Sequence, residues 1–456
     1  MAHRSVQSHA TTSPPSNQPA FAVLAGLLAT SNAIADVFPD TVFTNGFDPC
    51  VGVQCFQVQC PAGQTTSASG TVYAPNGTLP LPNVQVYVPS VTPGALIDGP
   101  GYDRCGVAPL GHPVAAALSD ANGNFTLTNV PATSNVPLVM LAGKWRRQIT
   151  IANVPQCANT PLAASDTRLP RTHLEGDIPL TAIVTGSFDS LECLMRKTGV
   201  ADTEFGSDAG SARIQLFFGN GVSKIAGSPA TPLSNATTLW ASSSSLSAYD
   251  QVMLACEGAQ NATTKPQASI DALKAYADVG GRTYLAHLQN IWIAGASDQT
   301  RQGAWPAVAT WNFNLSPFGT TIIGNIDNTF PQGFYFSSWL FQVGASGSPG
   351  TLSITSGRQT AIAIDSNIAH RWIFLPMTSN NFPSIQYFSF TTPIESAAEL
   401  QQGRVLFTDM HPASNDMSPT NGTFPTACTT TTINAQEKAL MYAAFDLQRC
   451  VGSTKE

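Results

Sequence analysis

The hydrophobic pattern changes character once along the chain, near residue 178. Before it, SGTVYAP (69–75), NVQVYVP (83–89), GNFTLTNVP (123–131), VPLVMLAG (136–143) and RRQITIANVP (146–155) are short runs rich in Val, Ile, Thr and Tyr, each bounded by Pro, Gly or Asn. Such runs predict strands, and several of them at this spacing predict a β-sandwich over 67–155. The turn Asp120-Ala121-Asn122-Gly123 calls for positive φ at Gly123, after which Phe125 and Leu127 alternate onto one face.

Residues 156–177 are polar and irregular and read as a linker, with Pro161, Pro170 and RTHLEGD (171–177). From 178 the strands turn continuously apolar: IPLTAIVTG (178–186), ARIQLFF (212–218), YDQVMLACEG (249–258), RTYLAHLQ (282–289) and GRVLFTDMHP (403–412). Between them, SLECLMRKTG (190–199) has a helical pattern. QASIDALKAYADVGG (267–281) sets Ile270, Leu273 and Ala277 on one helix face and stops at Gly280-Gly281. Alternation of apolar strands with helices predicts an α/β domain over 178–452 with a doubly wound, mainly parallel sheet. Residues 295–395 return to a β, Gly/Ser-rich texture and read as an insertion or an elaborated edge. The last helix is announced by a capping box, Asn434 with Glu437, and by Leu440, Ala444 and Leu447 on its inner face.

Of the 456 residues, 43% are hydrophobic and only 11% charged, with net charge −7. The polar surface therefore rests on Ser, Thr, Asn, Gln and Gly, a balance typical of extracellular proteins. No basic run supplies the footprint that phosphate recognition needs, which excludes nucleic acid as a partner. Residues 1–35 read as a secretory signal of bacterial type: Arg4, no acid before Asp36, the apolar run AFAVLAGLLA (20–29), and Ala33-Ile34-Ala35 before the cleavage point. That run is about half the ~20 residues of a membrane span, so no transmembrane segment is expected in the mature chain. The address is secreted, extracellular or cell-surface.

Nine cysteines, at 50, 55, 60, 105, 157, 193, 256, 428 and 450, all follow that point. In an oxidising compartment they read as disulfides of undetermined connectivity, with 36–66 a Cys-rich entry segment, and an odd count leaves at least one thiol unpaired within the monomer. GKWRRQ (143–148) is a basic island. It reads either as a solvated strand face with Trp145 in the core or as a contact for acidic glycans or a partner.

SGTVYAPNGTLPLPNVQVYVP followed by SDANGNFTLTNVP resembles the carboxypeptidase regulatory-like domain, which implies a transthyretin-type Greek-key sandwich and an accessory role. Farther on, Tyr249-Asp250 before a strand, Gly280-Gly281 before the next, and the strand end Asp409-Met410-His411 resemble the ThuA-like branch of the class I glutamine amidotransferase fold, as in secreted bacterial proteins. This implies a flavodoxin-like domain. In active amidotransferases a cysteine stands on the sharp turn after the strand equivalent to 282–287, and a histidine after a late strand serves as its base. This chain has His411 but carries Ala286-His287 at the turn, so the resemblance implies a dismantled pair.

Strand carboxyl ends in an open α/β sheet share a crevice, so Glu257, His287, Asp409 and His411 are expected to meet there as candidate catalytic residues. Cys256 reads either as a substitute nucleophile or as half of a disulfide. Imidazoles beside carboxylates can do acid–base work through water or satisfy one another's buried polar groups. No cofactor is expected from any motif. His287, Asp409 and His411 nevertheless form a donor set that suits zinc with an open position. Two roles compete: a non-catalytic binding or structural protein with a glycan or protein ligand, and a hydrolase of a sugar-derived or amide substrate, metal-assisted or not. Trp305, Trp311, Phe334, Tyr335 and Trp339 could stack on sugars or fill the core.

Overall fold

The computed structural model describes residues 52–101, 104–315, 318, 320–355, 357–377, 382–412 and 420–452. The signal segment, its cleavage point and the start of the Cys-rich segment lie outside the described residues. The first strands are β1 (Ser67–Thr71), β2 (Gln85–Pro89), β3 (Pro113–Leu118), β4 (Asn124–Thr128), β5 (Ser134–Ala142), β6 (Trp145–Asn153) and β7 (Asn159–Pro161). They form two sheets, ordered β4-β1-β7 and β3-β2-β5-β6. Alternation drives Phe125 and Leu127 of β4 inward while Asn124, Thr126 and Thr128 face solvent. These two join Val86, Val88, Leu138 and Met140 in one core. The β3–β4 turn closes as its chemistry requires: Gly123 has φ +76°, and Asp120 Oδ1 accepts from the Asn122 and Asn124 N–H groups at 2.8 Å each. β7 falls within the stretch expected to be a linker and pairs parallel to β1.

The chain continues through β8 (Thr181–Thr185), β9 (Phe205–Ser207), β10 (Ile214–Phe218), β11 (Lys224–Ile225), β12 (Thr231–Pro232), β13 (Gln251–Leu254), β14 (Arg282–Ala286), β15 (Ala309–Trp311), β16 (Ile322–Ile326), β17 (Thr351–Ile354), β18 (Ala361–Ile364), β19 (Ala369–Leu375), β20 (Ser384–Thr392), β21 (Gly403–Thr408) and β22 (Thr423–Phe424). Ten of these build one sheet, ordered β17-β16-β19-β20-β21-β14-β13-β8-β10-β9. From β21 to β9 all neighbours are parallel, and from β17 to β21 all are antiparallel. The sheet is therefore mixed: the parallel half expected from the sequence is prolonged by an antiparallel half. The segment 295–395, read as an insertion or an elaborated edge, extends the edge of the same sheet through β20, β19, β16 and β17; β19 and β20 follow one another directly and pair antiparallel.

Helices are α1 (Ala164–Thr167), α2 (Leu191–Lys197), α3 (Ala236–Leu239), α4 (Ser243–Leu246), α5 (Gln267–Asp278), α6 (Ile291–Ala294), α7 (Pro331–Gln342) and α8 (Ala435–Asp446). They cover both faces of the large sheet. Ile183, Met253, Tyr284 and Leu406 share a core with Leu194 of α2, Trp339 of α7 and Leu440 of α8. The alternate residues Val184, Leu254, Leu285 and Phe407 share the other with Leu246 of α4, Leu273 of α5 and Ile291 of α6. Each such side chain contributes about 1.5–3 kcal/mol on leaving water. The predicted capping box on α8 is present with both of its bonds.

The described residues fall in one compact unit, and the basic island explains part of it. Lys144 pairs with the buried Asp250 at 2.5 Å, Arg146 with Asp177 at 2.7 Å, and Arg147 donates to the Ser165 and Arg168 carbonyls. Trp145 is buried against Phe445 of α8. The island is thus committed to the chain's own acceptors. Disulfides join Cys60 to Cys157, Cys105 to Cys450 and Cys193 to Cys428, the chemistry of an oxidising compartment. Among the described residues no helix is long and apolar enough to cross a membrane.

Candidate functional site

Parallel register sets the site. Leu254 of β13 is level with Leu285 of β14, which is level with Phe407 of β21. Two residues beyond each of these stand Cys256, His287 and Asp409, all at the carboxyl edge. The chains approach closely there: a Cβ on Gly186, just past β8, would collide with the Cys256 carbonyl oxygen, so this position requires glycine.

The three edge residues then part company. His287 has φ +45°, a left-handed turn that breaks the strand and aims the imidazole along the edge. Its Nδ1 lies 3.4 Å from the Cys256 sulfur. Its ring meets that of His411 edge-on, with centroids 5.0 Å apart and planes at 83°. Asp409 instead keeps the alternation of β21, on the face of Phe407. Its carboxylate accepts from Thr360 N–H and Oγ1 at 2.7 Å each and from Ala361 N–H at 3.0 Å, at the start of β18. Burial raises its pKa to about 6 against those hydrogen bonds. Its carboxylate holds a loop and leaves the imidazoles to other partners.

Glu257 is likewise committed. Lys265 Nζ lies at 3.0 and 3.1 Å from its two oxygens, Asn261 donates at 2.6 Å and Gln289 at 3.2 Å. Lys265 is fully buried, its ammonium 5.2 Å from the Trp240 ring, and burial lowers its pKa.

The carboxylate that serves His411 is Asp189, between β8 and α2, absent from the sequence-predicted set. Its Oδ1 lies 2.5 Å from His411 Nδ1, and its Oδ2 accepts the Cys256 N–H at 2.8 Å. One side chain therefore fixes both the ring of His411 and the backbone that carries the thiol. Gln436 of α8 donates to the His411 carbonyl and anchors the backbone there. His411 is 2% exposed, and its Nε2 is buried without a hydrogen-bond partner.

Cys256 is a free thiol, which corrects its reading as half of a disulfide; Cys428 pairs with Cys193 instead. It is 0% exposed. Burial, with the Asp189 carboxylate adding to it, pushes the thiol up to about 12. Burial, then His411 and Arg358, holds the His287 imidazole well below its ordinary value. Nearby at this edge, Ser187 and Asn220 are half-buried, and the Phe188 ring is 41% exposed and 6.5 Å from that of His411. Trp305 and Trp339 are core, Trp311 is half-buried against Phe407, and Phe334 and Tyr335 are exposed on α7.

No family model and no curated protein matches the chain. Among solved structures, a type II cohesin–X-dockerin complex from Acetivibrio cellulolyticus is 16% identical, over 33% of this chain and 80% of that one, at a TM-score of 0.16. The major pilin subunit of Bacillus cereus, BcpA, is 13% identical over 24% of this chain and 30% of that one, at a TM-score of 0.14. At these scores the likeness defines no shared fold.

Proposed function

We propose that the chain is a secreted or cell-surface binding protein in which a carboxypeptidase regulatory-like sandwich braces an amidotransferase-like module of ThuA type, kept as a scaffold for a glycan or protein ligand. The strand order β10-β8-β13-β14-β21 supports the scaffold: numbered along the chain it is 2-1-3-4-5, the flavodoxin-like order, with ligands expected at the carboxyl edge. The disulfides Cys60–Cys157, Cys105–Cys450 and Cys193–Cys428 support the address.

The observation that carries the reading is the edge turn itself. His287 has a left-handed backbone at the turn where the resemblance would put an amidotransferase nucleophile, and the sulfur within reach, Cys256, is sealed from solvent at the end of the neighbouring strand. A nucleophile must reach its substrate as well as its base.

A second reading has one observation in its favour. His411, oriented by Asp189 and with Nε2 unpartnered, has the form of a base acting through water on a sugar-derived or amide substrate. Assays with chromogenic glycosides and amides separate the two readings. The binding reading expects no turnover above that of a His411→Ala variant, whereas a wild-type rate that the variant abolishes would establish the hydrolase.

A further inference from the structure

Three side chains with metal-ligating atoms converge at the carboxyl edge, and one of those atoms, His411 Nε2, is buried without a hydrogen-bond partner. Cys256, His287 and His411 each offer one ligand atom, the thiol sulfur or a ring nitrogen, and these atoms all lie within 4.8 Å of one another. The sulfur and His287 Nδ1 are already 3.4 Å apart. Around a tetrahedral zinc ion with bonds of about 2.0–2.3 Å, donors stand about 3.4–3.6 Å apart, so the remaining closure is a small side-chain rotation.

The surroundings of the three donors have the form of a metal centre. A ligating histidine ordinarily gives its other ring nitrogen to a carboxylate, which fixes the tautomer and aims the free lone pair at the ion. His411 does this through Asp189 at 2.5 Å, leaving Nε2 as the acceptor. That nitrogen belongs to a side chain 2% exposed and has no other partner, an arrangement that is costly for a polar atom unless something fills it. Asp189 also holds the Cys256 N–H, so both flanking ligands hang on one carboxylate. Thiolate, two neutral imidazoles and the Asp189 carboxylate carry two negative charges together, which one divalent cation neutralises.

We infer that Cys256, His287 and His411 form a binding site for one zinc-class divalent cation, oriented by Asp189 and with a fourth position left for water or a ligand's oxygen or nitrogen. Sulfur and imidazole donors select zinc and its borderline-soft neighbours over magnesium and calcium, which take oxygen. Binding expels the Cys256 proton, since a coordinated thiol is held as thiolate. The donor set anticipated from sequence differs at one place: Asp409 is committed to β18, and Cys256 supplies the third ligand. The site stands whether or not the crevice also binds a glycan or protein.

The test uses the full mature protein with its disulfides intact, stripped with a chelator and titrated with zinc against a chromophoric competitor, then with cobalt(II). One equivalent per chain is expected, with cobalt giving a thiolate-to-metal charge-transfer band and the visible bands of a tetrahedral site. Cys256→Ser should remove the charge-transfer band and weaken zinc binding at least tenfold, and His287→Gln should weaken it comparably. His112→Ala, at an exposed residue elsewhere, should bind as wild type. Melting curves of the stripped proteins identify any variant that has lost its fold, and the two substitutions then serve as alternates. Absence of a stoichiometric site in the wild type, or a cobalt spectrum unchanged by Cys256→Ser, would overturn the inference.

Discussion

Asp189 Oδ1 stands 2.5 Å from His411 Nδ1 and joins residues 222 positions apart in sequence. The bond decides which nitrogen of His411 is free. Replacing Asp189 by Asn keeps the shape but removes the charge that holds the ring, and loss of such a partner typically costs 10–100-fold in metal affinity. Asp189→Asn is therefore expected to weaken zinc binding by that factor in the competition titration. An unchanged affinity would mean that His411 is oriented by something else.

Breaking the Glu257–Lys265 pair should be strongly destabilising. The two side chains are 3% and 0% exposed, so Lys265→Met leaves an uncompensated buried carboxylate, at a cost of roughly 3–5 kcal/mol. The double variant with Glu257→Leu should recover much of that loss. Denaturant titration measures both, and a single variant as stable as the wild type would show that the pair is not what holds this loop.

Much of the fold was legible because it is written locally. A period of two placed β4, the Asp120–Gly123 turn and the capping box of α8 where they occur, and continuous apolar runs placed β8, β13, β14 and β21. Strand pairing is not local, so the texture of 295–395 left insertion and elaborated edge equally open, and only the pairing of β20 with β21 decides for the edge. The same limit explains the site. His287 and His411 were visible as strand ends, but Asp189 follows β8 in SFDSLE with no motif around it. The carboxyl-edge rule applied to the first strand of the domain would have found it. Asp409 misled because Asp-x-His looks like a unit. It shares the face of Phe407, where the backbone of Thr360 and Ala361 needs an acceptor.

The Cys193–Cys428 bridge ties α2, which follows Asp189, to the segment before α8 across 235 residues. Replacing both cysteines by Ala should cost about 2–5 kcal/mol, chiefly through the freer unfolded chain. Equal stability of the double variant in denaturant titration would contradict this.

Glu175 is held by Arg168 at 2.6 and 2.8 Å and by the Arg171 N–H at 2.8 Å. The Arg168 bond is the main cause that lowers its pKa from 4.5 to about 2. A folded pKa below the unfolded one stabilises fully above the unfolded value and is lost as pH falls through the folded one. Between pH 4.5 and about 2, Glu175→Gln should show a flatter fall of melting temperature than the wild type; parallel curves would refute the assignment.

Phe188 offers an exposed ring beside His411 at the carboxyl edge. On a glycan array, Phe188→Ala should lower any wild-type signal by about tenfold, the order of one lost aromatic contact. A signal untouched by the substitution would place the ligand elsewhere.

The central claim, that this sheet edge binds and has no working thiol nucleophile, is tested most directly by the alkylation rate of Cys256. Chelator-treated native protein would be exposed to iodoacetamide at neutral pH and the Cys256 peptide quantified by mass spectrometry over time. The account predicts an unmodified peptide in the native protein and complete modification once it is denatured. Stoichiometric modification of the native protein within minutes, suppressed by His287→Ala, would show an activated nucleophile and contradict it.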